Sequence, residues 1–177
     1  MNHTNIEIKA RINNPDRIQG VLRSHKADFK GTDHQIDTYF KVSTGRLKLR
    51  EGNIENCLIY YQRVDQAGPK QSDVILYKTG LNSPLKQILT QSLGELAVVD
   101  KEREIYFIDN VKFHIDRVNG LGLFMEIEAI DADGDIGKSK LLEQCHYYMQ
   151  ILGISKKDLI INSYSDLILE EVNARIT

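Results

Sequence analysis

The stretch Asn5-Ile6-Glu7-Ile8-Lys9-Ala10-Arg11-Ile12 alternates strictly between polar and apolar side chains. Successive side chains of a β-strand point to opposite faces, so this period of two predicts a strand with one charged and one apolar face. The segment Asn14-Pro15-Asp16 follows and supplies an N-cap and a proline suited to a first helical turn, which predicts a helix through about His25. The apolar side of this helix is expected to pack on the apolar faces of the strands.

The rest of the chain continues this alternation, interrupted by turns and by two further helices. Strands are predicted at 35–41, 46–50, 57–63, 73–78, 98–107, 111–118 and 124–130. Helices are predicted at 84–93 and 138–152, each followed by a glycine, with a loop at 65–70 and a mixed C-terminal segment at 159–169. No long linker interrupts this order, so residues 1–177 are expected to form a single α+β domain.

Charged side chains recur at period two on at least five predicted strands, and they segregate by sign. The basic pairs are Lys48/Arg50 and Lys101/Arg103, and the acidic pair is Glu126/Glu128. One such strand by itself is equally consistent with a sheet face in contact with solvent. The repetition over several strands favours a shared, charged surface instead.

Like charges two residues apart on one strand lie only about 7 Å from each other, so they repel unless an opposite charge lies between them. If the sheet curls so that the charged faces line its interior, the basic pairs form an anion site. The carboxylates then form a site for a hard cation such as Mg²⁺ or Mn²⁺. Closure of the sheet also removes its exposed edges. The pattern therefore indicates a metal–polyphosphate pocket inside a closed antiparallel sheet.

Overall charge and composition exclude several other classes of protein. The chain carries 23 basic and 25 acidic residues, so a general nucleic-acid binder is not indicated. Cys57 and Cys145 are too few and too far apart for a disulfide framework and are expected to be buried, reduced thiols. No leader precedes the first strand, and no apolar run approaches the roughly eighteen residues of a membrane span. A cytoplasmic protein without membrane or nucleic-acid partners is expected.

The ordered set of short motifs along the chain resembles the CYTH superfamily, which includes class IV adenylyl cyclases and thiamine triphosphatases. In order, the motifs are Asn5-Ile6-Glu7-Ile8-Lys9, Gln35-Ile36-Asp37-Thr38-Tyr39-Phe40, Leu47-Lys48-Leu49-Arg50, Tyr60-Tyr61-Gln62-Arg63, Lys101-Glu102-Arg103, His114-Ile115-Asp116 and Gly120-Leu121-Gly122-Leu123-Phe124-Met125-Glu126-Ile127-Glu128. This resemblance spans nearly the whole chain. It implies the triphosphate tunnel fold, a closed antiparallel eight-stranded β-barrel with helices packed outside, together with a triphosphate ligand and Mg²⁺ or Mn²⁺ as cofactor.

The resemblance also implies roles for the charged residues. The implied metal ligands are Glu7, Glu126 and Glu128, the phosphate contacts are Lys9, Lys48, Arg50, Arg63, Lys101 and Arg103, and the catalytic set is Lys9, Lys101, Arg103 and Asp116. The alternative for Glu7 and Lys9 is a salt bridge inside the barrel. Tyr39 and Tyr61 either stack on a base or fill the lumen, and His114 is either a polar wall residue or a catalyst.

Two positions depart from the pattern of the family. Asn5 stands where the first glutamate of a Glu-x-Glu-x-Lys motif is expected, so the site should bind metal more weakly or hold one ion instead of two. Asn162-Ser163-Tyr164 stands where several relatives have Pro-Arg-Ser-Tyr, which removes an arginine able to close over the phosphates. Both departures leave the identity of the substrate open.

Several functions share these motifs. The first expectation is a class IV adenylyl cyclase-like enzyme that converts ATP to cyclic AMP and pyrophosphate. The alternatives are hydrolysis of inorganic tripolyphosphate or thiamine triphosphate, and a non-catalytic sensor of nucleotides or polyphosphates. A structural barrel without a ligand is disfavoured, because its interior would hold an excess of unpaired basic groups. An apolar remainder on the outer strands or the C-terminal helix would support a homodimer, although Tyr147, Tyr148 and Met149 are equally consistent with a core.

Overall fold

The computed structural model describes residues 2–63, 66 and 68–176, so the predicted loop at 65–70 lies partly outside the described residues. The strands are β1 Asn2–Arg11, β2 Asp28–Phe40, β3 Arg46–Gly52, β4 Cys57–Arg63, β5 Lys70–Lys78, β6 Glu95–Ile108, β7 Val111–Val118 and β8 Gly122–Asp131. The helices are α1 Pro15–Ser24, α2 Leu85–Leu93, α3 Lys138–Ile151 and α4 Tyr164–Ile176, with a 3₁₀ turn at Lys156–Asp158. All strand pairs are antiparallel, and they close into a barrel in the order β1-β5-β4-β3-β2-β6-β7-β8. The predicted closed eight-stranded barrel is confirmed.

The main hydrophobic core lies outside the barrel, between its wall and helices α1 and α3. Ile6 and Ile8, on the outer face of β1, are 2% and 1% exposed and belong to the same cluster as Ile18 and Leu22 of α1 and Leu141 of α3. Burial of each such side chain contributes about 1.5–3 kcal/mol. This contribution fixes which face of β1 points outward, and the charged residues between the isoleucines therefore point into the barrel.

A second apolar cluster fills one end of the barrel, which we call the closed end. Its buried members are Tyr39, Val99, Val118, Leu121, Phe124 and Tyr164. The rings of Phe124 and Tyr164 meet edge to face with their centroids 5.0 Å apart. Leu167 and Ile168 of α4 pack against the same cluster, so α4 covers this end of the barrel.

Some boundaries differ from those predicted. β2 begins at Asp28 rather than Gln35, with a register shift beside Gly31, because its first residues gain their pairing from β6 and show no apolar period. β6 likewise begins at Glu95, before the predicted residue 98. The prediction of a mixed C-terminal segment was wrong for its second half, since a regular helix begins at Tyr164. Ser163 caps it by accepting a hydrogen bond from the Asp166 amide at 3.2 Å.

The remaining sequence predictions concern cysteines, membrane spans and exposed aromatic residues. Cys57 and Cys145 are free and buried, as expected. In the described part of the chain, the helices include none long and apolar enough to cross a membrane. Tyr147 is exposed, whereas Tyr148 and Met149 pack against the main core.

Candidate functional site

The inner faces of the strands enclose a cavity of about 540 Å³. The charged residues that line it are Lys9, Lys48, Arg50, Arg63, Lys78, Arg103, Lys112, Glu7, Asp37, Glu55, Glu126 and Glu128. Seven of these side chains are basic and five are acidic, so the lining carries an excess of positive charge. A cavity of this composition suits an anionic ligand with several charges.

Asp37 on β2 holds three basic side chains in place. Its carboxylate accepts hydrogen bonds from Lys48 at 2.9 Å and Lys101 at 2.7 Å, and it forms a two-point contact with Arg50 at 2.8 and 3.0 Å. Burial alone would raise the pKa of Asp37, but Arg50, Lys101 and Lys48 outweigh this effect and hold it well below its usual value. Burial lowers the pKa of Lys101 to about 7, with Asp37 opposing the shift and Arg50 adding to it. Asp37 is therefore the anion on which this side of the cavity depends.

Arg103 on β6 is held in a similar way by two carboxylates. It donates to Asp116 at 2.7 and 2.5 Å and to Glu126 at 2.7 Å. Asp116 also accepts a hydrogen bond from the Tyr164 hydroxyl at 2.7 Å. Lys9 lies 3.0 Å from Glu126, and its ammonium group lies 3.4 Å from the centre of the Tyr164 ring. The Arg103 guanidinium and the Lys9 ammonium group thus lie beside the closed end, and both contact Glu126.

His114 forms part of the cavity wall. Its Nδ1 atom lies 3.0 Å from Glu126. Burial, with repulsion from Arg103 and Lys112, lowers the pKa of His114 to about 3, so the imidazole is neutral at physiological pH. Its Nε2 atom is buried and has no hydrogen-bond partner among the described residues. These features fit a polar wall residue.

The oxygen atoms on β1 and β8 suit a hard cation in their chemistry. Glu7 and Glu128 are direct partners in the register of these strands, and facing like charges destabilise a sheet. Burial raises the pKa of Glu128, and the nearby Glu7 adds to the rise. Asn5 donates its side-chain amide to Glu128, and the Asn5 Oδ1 atom is buried without a partner in the described part of the protein. Carboxylate and amide oxygens of this kind are the ligands that Mg²⁺ and Mn²⁺ prefer.

In this conformation two of the three predicted metal ligands pair with basic side chains. Glu7 pairs with Arg63 and Glu126 with Lys9. Within residues 2–63, 66 and 68–176, no three acidic, histidine or cysteine side chains are grouped closely enough to hold a metal ion. The assignment of Glu7, Glu126 and Glu128 as metal ligands therefore stays a prediction.

Apolar side chains also line the cavity. This apolar wall consists of Ile54, Cys57, Ile59, Val74, Leu76 and Ile130. Ile54 is 46% exposed, so the cavity reaches solvent here, and we call this the open end. An apolar surface next to charged groups suits a ligand with both an organic part and an anionic part.

Comparison with known proteins identifies the family. The CYTH domain model matches residues 3–164. This chain belongs to the CYTH family. It is 30% identical over 173 aligned residues to a Methanocaldococcus jannaschii protein named "Putative adenylate cyclase", covering 92% of this chain and 97% of that protein.

Two solved structures show the same CYTH fold. The PH1012 protein from Pyrococcus horikoshii OT3 has a TM-score of 0.72 at 24% identity, covering 92% of this chain and 98% of that one. A Hippeastrum protein named "Putative adenylyl cyclase" and described as having a dominant triphosphatase activity has a TM-score of 0.57 at 13% identity, covering 96% of each chain. At these identities the two structures support the fold alone.

Most of the metal ligands, phosphate contacts and catalytic residues predicted from the CYTH resemblance meet in the cavity. Those that line it are Glu7, Lys9, Lys48, Arg50, Arg63, Arg103, Glu126 and Glu128. Lys101 and Asp116 lie behind this lining and are 1% and 0% exposed. They reach the cavity through Asp37 and Arg103, which they contact directly. This placement suits residues that position other groups.

A structural barrel without a ligand was disfavoured on the ground that its interior would hold unpaired basic groups, and the structure does not support this ground. Each predicted phosphate contact has a carboxylate partner: Lys9 with Glu126, Lys48, Arg50 and Lys101 with Asp37, Arg63 with Glu7, and Arg103 with Asp116. Pairing is needed because isolated buried charges are costly. The alternative of salt bridges inside the barrel for Glu7 and Lys9 is therefore present in the structure, and a ligand has to compete with it.

The sequence predictions assigned no role to four charged residues that line the cavity. Lys78 is the last residue of β5. Asp37 lies in a quoted motif and shares the inward parity of Tyr39, so its position was visible in the pattern. Lys112 likewise shares the parity of His114. Glu55 lies in a loop, where no periodicity indicates the direction of a side chain.

Proposed function

We propose that this CYTH protein is a metal-dependent enzyme that acts on an organic triphosphate, and that it converts ATP to cyclic AMP and pyrophosphate. The observation that carries the proposal is the joint presence of paired basic side chains and an apolar wall in one cavity. The wall offers contact to a nucleoside, which inorganic tripolyphosphate lacks. The 30% identical relative named as an adenylate cyclase supports the same choice.

The phosphates bind toward the closed end. Lys9, Lys48, Arg63 and Arg103 contact phosphate oxygens, the arginines in two-point fashion and the lysines as point charges. In this exchange the phosphate replaces Glu7 as the partner of Arg63 and Glu126 as the partner of Lys9. The two carboxylates are then available as ligands. The apolar wall places the nucleoside toward the open end.

The reaction itself needs little from the side chains beyond placement and charge. The ribose 3′-oxygen forms a bond to the α-phosphorus and loses its proton to water, the bond from this phosphorus to the bridging oxygen breaks, and pyrophosphate leaves with the electron pair. Lys9 and Arg103 stabilise the charge that develops on the leaving group. Asp116 positions Arg103 through its two-point contact, and Lys101 positions Asp37.

A divalent cation is part of this proposal. Glu7, Glu126 and Glu128 would hold Mg²⁺ or Mn²⁺, which when bound neutralises phosphate charge and favours ionisation of the attacking hydroxyl. Asn5 adds a neutral oxygen where a carboxylate would add a charge. We therefore expect tighter binding of one ion than of a second.

The test compares substrates and a matched pair of variants. Purified protein is incubated with ATP, tripolyphosphate or thiamine triphosphate and with Mg²⁺ or Mn²⁺, and the products are separated by chromatography. Lys48→Met removes a cation from the cavity, whereas Lys86→Met removes one that pairs with Glu51 outside the barrel. We expect cyclic AMP and pyrophosphate from ATP, with a rate about 100-fold lower in Lys48→Met and unchanged in Lys86→Met.

Other products would contradict the cyclase. Orthophosphate released from ATP or thiamine triphosphate would assign a hydrolase to the same cavity. Preference for tripolyphosphate would remove the role of the apolar wall. Metal-dependent binding without turnover would identify a sensor, and Asn5→Glu would then be the first variant to make.

A further inference from the structure

A carboxylate from a loop lies among the cations of the cavity. Glu55 belongs to the short loop between β3 and β4. Its side chain accepts hydrogen bonds from Arg50 at 2.8 Å and Gln35 at 3.1 Å and forms a close ion pair with Lys112 on β7. Among the residues that the structure describes, the other acidic side chains that line the cavity lie on barrel strands. Glu55 thus joins β3 to β7 across the open end.

The backbone of this loop is held firmly by buried groups. The fully buried Asp33 accepts hydrogen bonds from the amides of Ile54 at 2.8 Å and Glu55 at 2.9 Å. Asn56 and Gly52 exchange two further hydrogen bonds, at 3.2 and 2.7 Å. A Cβ atom at Gly52 would lie 2.8 Å from the Asp33 carboxylate, so this approach requires glycine. The loop therefore presents the Glu55 side chain from a fixed position.

Glu55 is a permanent anion that can still move. Burial alone would raise its pKa, but Arg50 and Lys112 outweigh this effect and hold it well below the usual value. The Glu55 side chain is 24% exposed, whereas that of Asp37 is 1% exposed. A rotation of the Glu55 side chain alone takes the carboxylate toward solvent, and no hydrogen bond of the strand ladder has to break.

We propose that Glu55 is a displaceable counter-anion that occupies, between Arg50 and Lys112, the position of the ligand phosphate nearest the open end. A polyphosphate entering the cavity displaces it, and the carboxylate returns when the product leaves. Glu55 thereby weakens the binding of polyphosphates and favours the release of a highly charged product. The inference rests on the proposed function for the identity of the anion as a phosphate.

The test measures the dissociation constant of inorganic tripolyphosphate by calorimetry at fixed ionic strength. Glu55→Gln keeps the size of the side chain and removes its charge. Glu51→Gln is the matched control, since Glu51 lies on β3 and pairs with Lys86 outside the barrel. We expect Glu55→Gln to bind tripolyphosphate roughly tenfold more tightly than the wild type, the effect of about 1.4 kcal/mol, and Glu51→Gln to bind it equally.

Each outcome decides between this inference and the proposed function. If the wild type binds and Glu55→Gln binds equally or more weakly, Glu55 supports the site and this inference alone is wrong. If neither protein binds, the proposed function fails as well. Binding by Glu55→Gln alone would show that Glu55 blocks the anion position. Should circular dichroism show Glu55→Gln to be unfolded, Glu55→Ala is used and interpreted in the same way, because it also removes the carboxylate.

Discussion

Asp37 illustrates how single residues hold the charged interior together. It is 1% exposed and is contacted by three basic side chains, of which Lys101 is fully buried. Removing one member of a buried ionic cluster typically costs about 3–5 kcal/mol, because the remaining charges lose their compensation. The stability of the barrel and the placement of the predicted phosphate contacts Lys48, Arg50 and Lys101 therefore depend on the same carboxylate.

We predict that Asp37→Asn lowers the free energy of unfolding by about 3 kcal/mol near neutral pH. The pKa of Asp37 in the folded state is well below 3.8, its value in the unfolded chain. Its contribution is therefore complete above about pH 4 and is lost as the pH falls further. Urea titrations should show a shallower loss of stability below about pH 4 in Asp37→Asn than in the wild type. The exposed Asp73→Asn serves as the control, and equal acid slopes in all three proteins would contradict the prediction.

The site could be predicted only in part at the level of residues, and the reason is physical. The period of two identifies which side chains share a face, and the apolar face of β1 packs outward, so the charged face points into the barrel. The period does not distinguish a carboxylate that binds a metal from one that neutralises a neighbouring lysine, as Asp37 and Glu126 do here. Glu55 was missed because its direction is set by Asp33, which is far away in sequence.

Helix α4 links the outside of the barrel to the cavity. Its first residue, Tyr164, is buried at the closed end. The segment before it is attached to β1 by a hydrogen bond from the Ile160 amide to the Lys9 carbonyl at 2.9 Å, and Lys70 donates to the Ile160 and Ile161 carbonyls. The apolar run 159–161 resembles a strand in sequence, which explains why the helix that follows was not predicted as a separate element.

We predict that Tyr164→Phe lowers the free energy of unfolding by about 1–2 kcal/mol, because it removes a buried hydrogen bond to Asp116. The ring remains against Phe124 and under Lys9, so the fold should persist. Denaturant midpoints measure the change. Tyr147→Phe is the control, since Tyr147 is 51% exposed. Equal midpoints for both variants would show that the buried hydroxyl contributes nothing.

The molecule as a whole separates its charges by location. Its formal net charge is −2, yet the lining of the cavity carries an excess of basic over acidic groups. We therefore expect the proposed triphosphate ligand to be attracted only at short range, because the fields of exposed charges are screened within about 10 Å in physiological salt. The closed barrel was predictable because at least five strands repeat the same alternation and because the ordered motifs resemble the CYTH superfamily.

The closed end has a consequence for the proposed cyclase reaction. Tyr164 and its neighbours fill that end, and Lys9 and Arg103, the proposed phosphate contacts, lie beside it. In the proposed reaction pyrophosphate would therefore form deeper in the barrel than the nucleoside. We predict that cyclic AMP leaves first and pyrophosphate last. Steady-state inhibition should then be competitive with ATP for pyrophosphate and noncompetitive for cyclic AMP. The reverse pattern would mean that pyrophosphate has its own exit. A barrel that opens at one end only has to release the outer product before the inner one.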